Sequence, residues 1–149
     1  MERTFVMLKP DAVQRSLIGE LILRLEHCGL KLVAMKFMNI SPELAKKHYE
    51  EHIGKPFYNK LVEYITSGPV VPMVFEGTNA VEFVRKLVGS TDPQKASPGT
   101  IRADFGQEIG RNLIHASDSK ASSEREIALF FSEHEFVSYA RIDAPWVHE

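Results

Sequence analysis

Cysteine is nearly absent from this sequence. Cys28 is the only one among 149 residues, so no internal disulfide can form and the fold must stand on its core alone. Cys28 falls on the apolar stripe of an expected helix, where buried packing is its expected role. Neither sign of charge is in excess: 18 Lys and Arg against 20 Asp and Glu leave a formal net charge of −2. That balance excludes a general electrostatic affinity for nucleic acid or an anionic membrane, and any anionic ligand must be held by a local cluster of cations. Long hydrophobic runs are missing too. The apolar stretch near the N-terminus stops at Lys9 and Pro10, too soon for a signal segment or a membrane span, so a cytoplasmic protein is expected. Neither a Walker A pattern nor G-x-G-x-x-G occurs, which removes both common glycine loops for nucleotide phosphates.

What is present reads as one domain over residues 1–149, since this length suits a single core. Residues 4–8 read as a buried strand. Pro10 opens a helix whose Val13, Leu17, Ile18, Leu21, Leu25 and Cys28 recur at helical steps until Gly29. Residues 30–40 alternate as a second strand. Ser41-Pro42-Glu43 starts a helix with Ala45, Tyr49 and Ile53 on one face, and 57–65 reads as another, stopped by Ser67-Gly68-Pro69. The third strand, 70–75, contains Pro72, which suggests an edge or a bulge. A helix follows, capped by Thr78 or Asn79 and buried through Val81, Val84, Leu87 and Val88. Residues 89–111 form a long irregular segment with apolar anchors at Ile101 and Phe105, and such segments are usually functional or disordered. A short strand at 113–114, a helix over 123–131 and an irregular tail complete the chain. The expected class is α+β: a ferredoxin-like β-α-β-β-α-β core, with a four-stranded antiparallel sheet covered by helices on one face.

Chemistry concentrates at Asn112-Leu113-Ile114-His115-Ala116-Ser117-Asp118. A histidine at the end of a short strand can present its ring at the rim of a sheet. A neutral imidazole is a competent phosphorus nucleophile. Phosphoryl transfer needs positive charge around the transferred oxygens. Lys9 at a strand–helix junction, Arg85 on a polar helix face and Arg102 in the irregular segment could supply it, with Thr91 as a hydroxyl donor. No acidic cluster resembles a preformed metal cage, so Mg²⁺ would arrive on substrate phosphates.

Asn112-x-x-His115-Ala116-Ser117-Asp118 resembles the active-site signature of the nucleoside diphosphate kinases. Lys9-Pro10-Asp11-Ala12-Val13-Gln14-Arg15, Ser67-Gly68-Pro69-Val70-Val71, Pro98 to Phe105 and Gly110-Arg111-Asn112 are similar to further motifs of that family, in the same order along nearly the whole chain. The resemblance implies a ping-pong transfer between nucleoside tri- and diphosphates, with Mg²⁺, through a pros-phosphohistidine at His115. It implies that Lys9, Arg85, Thr91, Arg102 and Asn112 contact phosphates or ribose. Phe57 would stack on the base beside Leu61 and Ile109, with broad base tolerance, and Tyr49, Ser117 and Glu126 would orient or support the histidine. It further implies a homo-oligomer, a hexamer or alternatively a tetramer. Ala116 stands where the family more often has glycine, and His148 where it often has an aromatic residue.

Other readings of the same residues are available. Glu82 lies three residues before Arg85, and Ser123-x-x-Glu126 fits a helix capping box. Replacing Arg102 is expected to weaken transfer more than stability. His48-Tyr49-Glu50-Glu51-His52 fits the inverted zinc-protease pattern H-x-x-E-H, although a solvated helix face explains it as well. A ferredoxin-like sheet can also bind RNA, but this chain lacks the aromatic-rich motif and basic excess of that role.

Overall fold

A computed structural model describes residues 1–149. Four strands form one sheet in the order β2-β3-β1-β4. β1 (Glu2–Leu8) lies antiparallel to β3 (Val71–Gly77) and to β4 (Ile114–Ala116), and β2 (Lys31–Met35) pairs antiparallel with β3. The split arrangement is the one expected. Helices cover both faces, however, where the sequence reading had one. Val6 and Leu8 of β1 point into a core shared with Leu21, Leu25, Val84 and Val88, while Phe5 and Met7 point into a second core with Ala45, Ile65 and Phe130. Successive side chains of a strand face opposite ways, so an unbroken apolar run such as Phe5-Val6-Met7-Leu8 signals two covered faces.

The first core is roofed by α2 (Ile18–His27) and α5 (Ala80–Val88); the second by α3 (Pro42–His48), α4 (Tyr58–Ile65) and α7 (Lys120–Phe130). The helix expected after Pro10 is broken: α1 (Pro10–Gln14) ends at a turn in which Ser16 takes a left-handed φ of 59°. At the far end of α2, Cys28 is exposed and not in the core, because the helix ends there. β2 is shorter than expected. A register shift between Leu32 and Ala34 buries Val33 and Ala34 together and leaves Met35 and Phe37 exposed.

Pro72 sits in an interior strand, not at an edge. Its carbonyl accepts from the Lys36 amide just past the end of β2, where only the isolated Met38–Val70 bridge follows, so the proline sits where the β2–β3 ladder gives out. α3 stops at His48, leaving Ile53 exposed. The irregular segment contains a short helix, α6 (Ile101–Phe105), capped by Thr100 through the Ala103 amide. Gly89, at a φ of 90°, lets the segment fold back: a Cβ there would meet Thr100 Oγ1 at 2.6 Å. No helix is long and apolar enough to cross a membrane.

Candidate active site

β4 is a three-residue edge strand, and His115 is its central residue, paired with Met7 of β1. It therefore lies within the strand, not past its end. Its ring stands on the second core face, 5.9 Å from the Phe5 ring between centroids. The Nε2 atom is 2.9 Å from Oε2 of Glu126, whose other oxygen accepts from Ser117 Oγ at 2.5 Å. Burial alone would raise the Glu126 carboxyl, but the hydrogen bonds from His115 and Ser117 and the nearby His48 bring it below the ordinary glutamate range. An ionised carboxylate only accepts, so Nε2 carries the ring proton and Nδ1 presents a lone pair. The His115 side chain keeps about a quarter of its surface exposed.

Glu126 thus has one assignment where the sequence left two. α7 starts three residues earlier than expected, with Ser119 as its N-cap through the Ser122 amide. Ser123 donates to the Arg3 carbonyl, and no capping box exists at that place. Glu126 falls in the second turn, facing β4.

The cations gather along the open edge of β4. Ile114 and Ala116 turn their carbonyls outward; Arg102 Nη2 donates to the first at 2.5 Å and Arg85 Nη1 to the second at 3.2 Å. Arg102 also donates through Nε to the Asn112 carbonyl and through Nη1 to that of Gly89, and it is buried. Three of its roughly five N–H donors are therefore engaged by backbone, which ties the 89–111 segment to the strand. Burial, and next the Arg85 charge, pull the guanidinium down to about 10. Lys9 Nζ donates to Asn112 Oδ1 at 2.8 Å, and burial followed by Arg102 holds it at about 8. The Asn112 amide donates on to the Thr91 carbonyl at 3.0 Å. Lys9, Thr91, Arg102 and Asn112 are consequently joined by hydrogen bonds, and Arg102 and Arg85 hold the carbonyls of the two strand neighbours of His115, although these residues lie far apart in sequence.

Tyr49 is buried, and burial, then Glu126, pushes its hydroxyl up to about 12, so it remains a neutral donor. Phe57 and Ile109 are large apolar residues left exposed, and Leu61 packs partly against the second core. The sequence reading missed His48. It is not on a solvated face but buried beside His115, 5.0 Å between ring centroids and edge-on, with Phe5, Tyr49 and Phe130 around it. Neither ring nitrogen has a partner. Burial, and then His115, lower its pKa to about 3, so it stays neutral. The spacing Ala45, His48, Tyr49 on an apolar helix face was the signal.

The zinc pattern dissolves in the same geometry. α3 ends at His48, and His52 lies in a separate 3₁₀ turn beside Lys55. His48, His115 and Glu126 do bring ligand atoms within 4.8 Å of one another. Within that cluster His115 and Glu126 are joined by a direct hydrogen bond.

A histidine with one nitrogen anchored and the other free, beside clustered Lys and Arg, is equipped for nucleophilic attack on phosphorus. Residues 2–136 match the family model described as nucleoside diphosphate kinase. The chain belongs to the nucleoside diphosphate kinase family. A nucleoside diphosphate kinase from Archaeoglobus fulgidus is 61% identical over 149 residues, covering 100% of this chain and 99% of that one. One from Staphylococcus epidermidis is 58% identical, with both chains fully covered. Among solved structures, a halophilic nucleoside diphosphate kinase from Halobacterium salinarum in complex with CDP superposes with a TM-score of 0.97. It is 57% identical, with 99% of each chain covered. A Babesia bovis family protein gives the same TM-score at 44% identity, covering 99% of this kinase and 100% of that chain.

Proposed function

We propose that this kinase moves the terminal phosphoryl group of a nucleoside triphosphate to a nucleoside diphosphate through phosphate carried on Nδ1 of His115. The observation that carries the reading is the chain Ser117–Glu126–His115, which places the ring proton on Nε2 and leaves the Nδ1 lone pair free. In the first half-reaction Nδ1 attacks the γ-phosphorus, the bond to the β,γ-bridging oxygen breaks, and the nucleoside diphosphate leaves with that electron pair. In the second, a terminal oxygen of an incoming diphosphate attacks the phosphohistidine and the P–N bond breaks, restoring the neutral ring. Dividing the transfer this way needs no proton removal from the nucleophile.

Charge on the transferred oxygens is met by Lys9, Arg85 and Arg102, with Thr91 and Asn112 as neutral donors. Tyr49 supports the histidine as a protonated hydroxyl. Phe57, Leu61 and Ile109 offer apolar surface for a base without base-specific hydrogen bonds, which supports broad nucleotide tolerance. The nearby carboxylates are already committed: Glu126 to His115 and Ser117, Asp11 to Leu113 and Tyr64. That donor set fits Mg²⁺ held by nucleotide phosphates and water, not by a protein cage. When bound, the ion neutralises phosphate charge. A cytoplasmic setting, supported by a single unpaired cysteine, and assembly as a hexamer or tetramer complete the reading.

Purified protein mixed with γ-labelled ATP and Mg²⁺ is expected to take up acid-labile label and pass it to added GDP. His115→Gln is expected to abolish both steps while keeping nucleotide binding. Turnover by a well-folded His115→Gln protein would sink the mechanism.

A further inference from the structure

The motif Lys9-Pro10-Asp11 contributes Lys9 to the cleft, but Asp11 touches neither His115 nor the cations at its rim. Its carboxylate turns the other way, into the backbone that leads to β4. Oδ2 accepts from the Leu113 amide at 3.0 Å, and Oδ1 accepts from the Tyr64 hydroxyl. Leu113 itself holds a φ of 75°, a conformation that glycine adopts freely and a branched aliphatic residue rarely does. Around it the Ile114 amide bonds back to the Asn112 carbonyl at 2.9 Å. An i-to-i+2 bond about a residue of positive φ is a γ-turn of the rare, strained hand. Such a turn persists only where its surroundings over-determine it.

The surroundings here can be named. Leu113 is fully buried, and its carbonyl accepts from the Lys9 amide at 2.9 Å. Its amide has no partner other than Asp11. The Tyr64 ring that steadies the carboxylate lies between cations, with the Arg111 guanidinium 4.5 Å and Lys9 Nζ 5.7 Å from its centroid. On one side of the turn stands Asn112, whose side chain bridges Lys9 and Thr91; on the other, two residues on, stands His115. Were the turn to relax to negative φ, Asn112 and His115 would rotate relative to each other.

We propose that Asp11, steadied by Tyr64, is a positioning residue for phosphoryl transfer: it locks the γ-turn at Leu113 that aims His115 and Asn112 into one cleft. This rests on His115 being the residue phosphorylated. It acts on the geometry of attack more than on nucleotide affinity, because its hydrogen bonds come from the Leu113 amide and the Tyr64 hydroxyl and from none of the cations Lys9, Arg85 and Arg102.

The test compares Asp11→Ala, Asp11→Asn and Tyr64→Phe in the full chain. Three quantities are read: the single-turnover rate of His115 phosphorylation by Mg·ATP, ADP affinity by calorimetry, and exchange of the Leu113 amide by NMR. Misplacing a reacting group by about 1 Å costs up to roughly 100-fold. Asp11→Ala is therefore expected to slow phosphorylation by about 10- to 100-fold, with ADP affinity held within about threefold and Leu113 exchange at least about tenfold faster. Asp11→Asn keeps an oxygen for the Leu113 amide and is expected to restore the rate to within several-fold of the parent; Tyr64→Phe is expected to fall between. Should Asp11→Ala fail to fold, the Asn and Phe variants still carry the comparison. An unchanged rate, an equal loss of rate and affinity, or undiminished Leu113 protection would each overturn the proposal. If the parent protein formed no phosphoenzyme at all, the nucleophile reading would fall, and the exchange measurement would still decide the turn.

Discussion

Lys9 and Glu126 both titrate away from their ordinary values, and each has a consequence that pH reveals. Lys9 is held at about 8 by burial and Arg102, against an ordinary value near ~10.4. The unfolded chain therefore binds more protons between those values, and stability contributed by this group rises with pH through that window. Activity runs the other way. The free enzyme loses the Lys9 charge above about pH 8, so kcat/KM for the nucleotide is expected to fall there, and Lys9→Arg is expected to remove that limb. A profile unchanged by Lys9→Arg would take Lys9 out of the phosphate site. Glu126 is depressed; its contribution is present above the unfolded value of ~4.3 and is lost as pH falls through the folded one. Urea unfolding of Glu126→Gln across pH 3 to 6 is expected to show a flatter acid limb than the parent. An identical limb would mean that the His115 pairing contributes nothing to stability.

At the scale of elements, the edge of β4 decides more than its length suggests. Arg102 bonds three backbone carbonyls, those of Gly89, Asn112 and Ile114. The expectation that its loss would harm transfer more than stability is therefore replaced. Arg102→Ala leaves those carbonyls without donors and is expected to cost at least ~2 kcal/mol, seen as a lower urea midpoint. A variant as stable as the parent would show that water replaces the guanidinium freely. The start of α7 is also testable. Ser119→Ala removes the cap and is expected to cost ~1 kcal/mol. The capping box expected at Ser123 and Glu126 was a fair pattern match, but local patterns cannot show that a buried histidine competes for the same carboxylate. The true box sits in the tail turn, where Ser132 and Glu135 satisfy each other.

For the whole molecule, two covered sheet faces leave apolar residues over at the periphery. Ile142 and Trp146 of the tail are 99% and 90% exposed, and Met35 and Phe37 stand open at the β2 edge. Exposed apolar side chains that lie together, as Met35 and Phe37 do beside Ile18, offer a contact surface for the proposed oligomer. Replacing Ile142 and Trp146 together by serine is expected to shift sedimentation toward smaller species; an unchanged sedimentation coefficient would remove the tail from subunit contacts.

Strand order, the buried stripes of α2 and α5, and the signature around His115 were legible in the sequence, because apolar periodicity and motif spacing are local properties; the break between α1 and α2 and the short α6 were not. Cys28 and Ile53 were misplaced because periodicity does not mark where a helix stops. What tertiary structure decided was proximity. Glu126 is joined to His115 and not to its own helix start, His48 is sealed beside the nucleophile, and Asp11 grips a turn far along the chain. Hydrogen bonds and desolvation act through space, so the tautomer of His115 and the charge state of Lys9 exist only once distant segments are packed together.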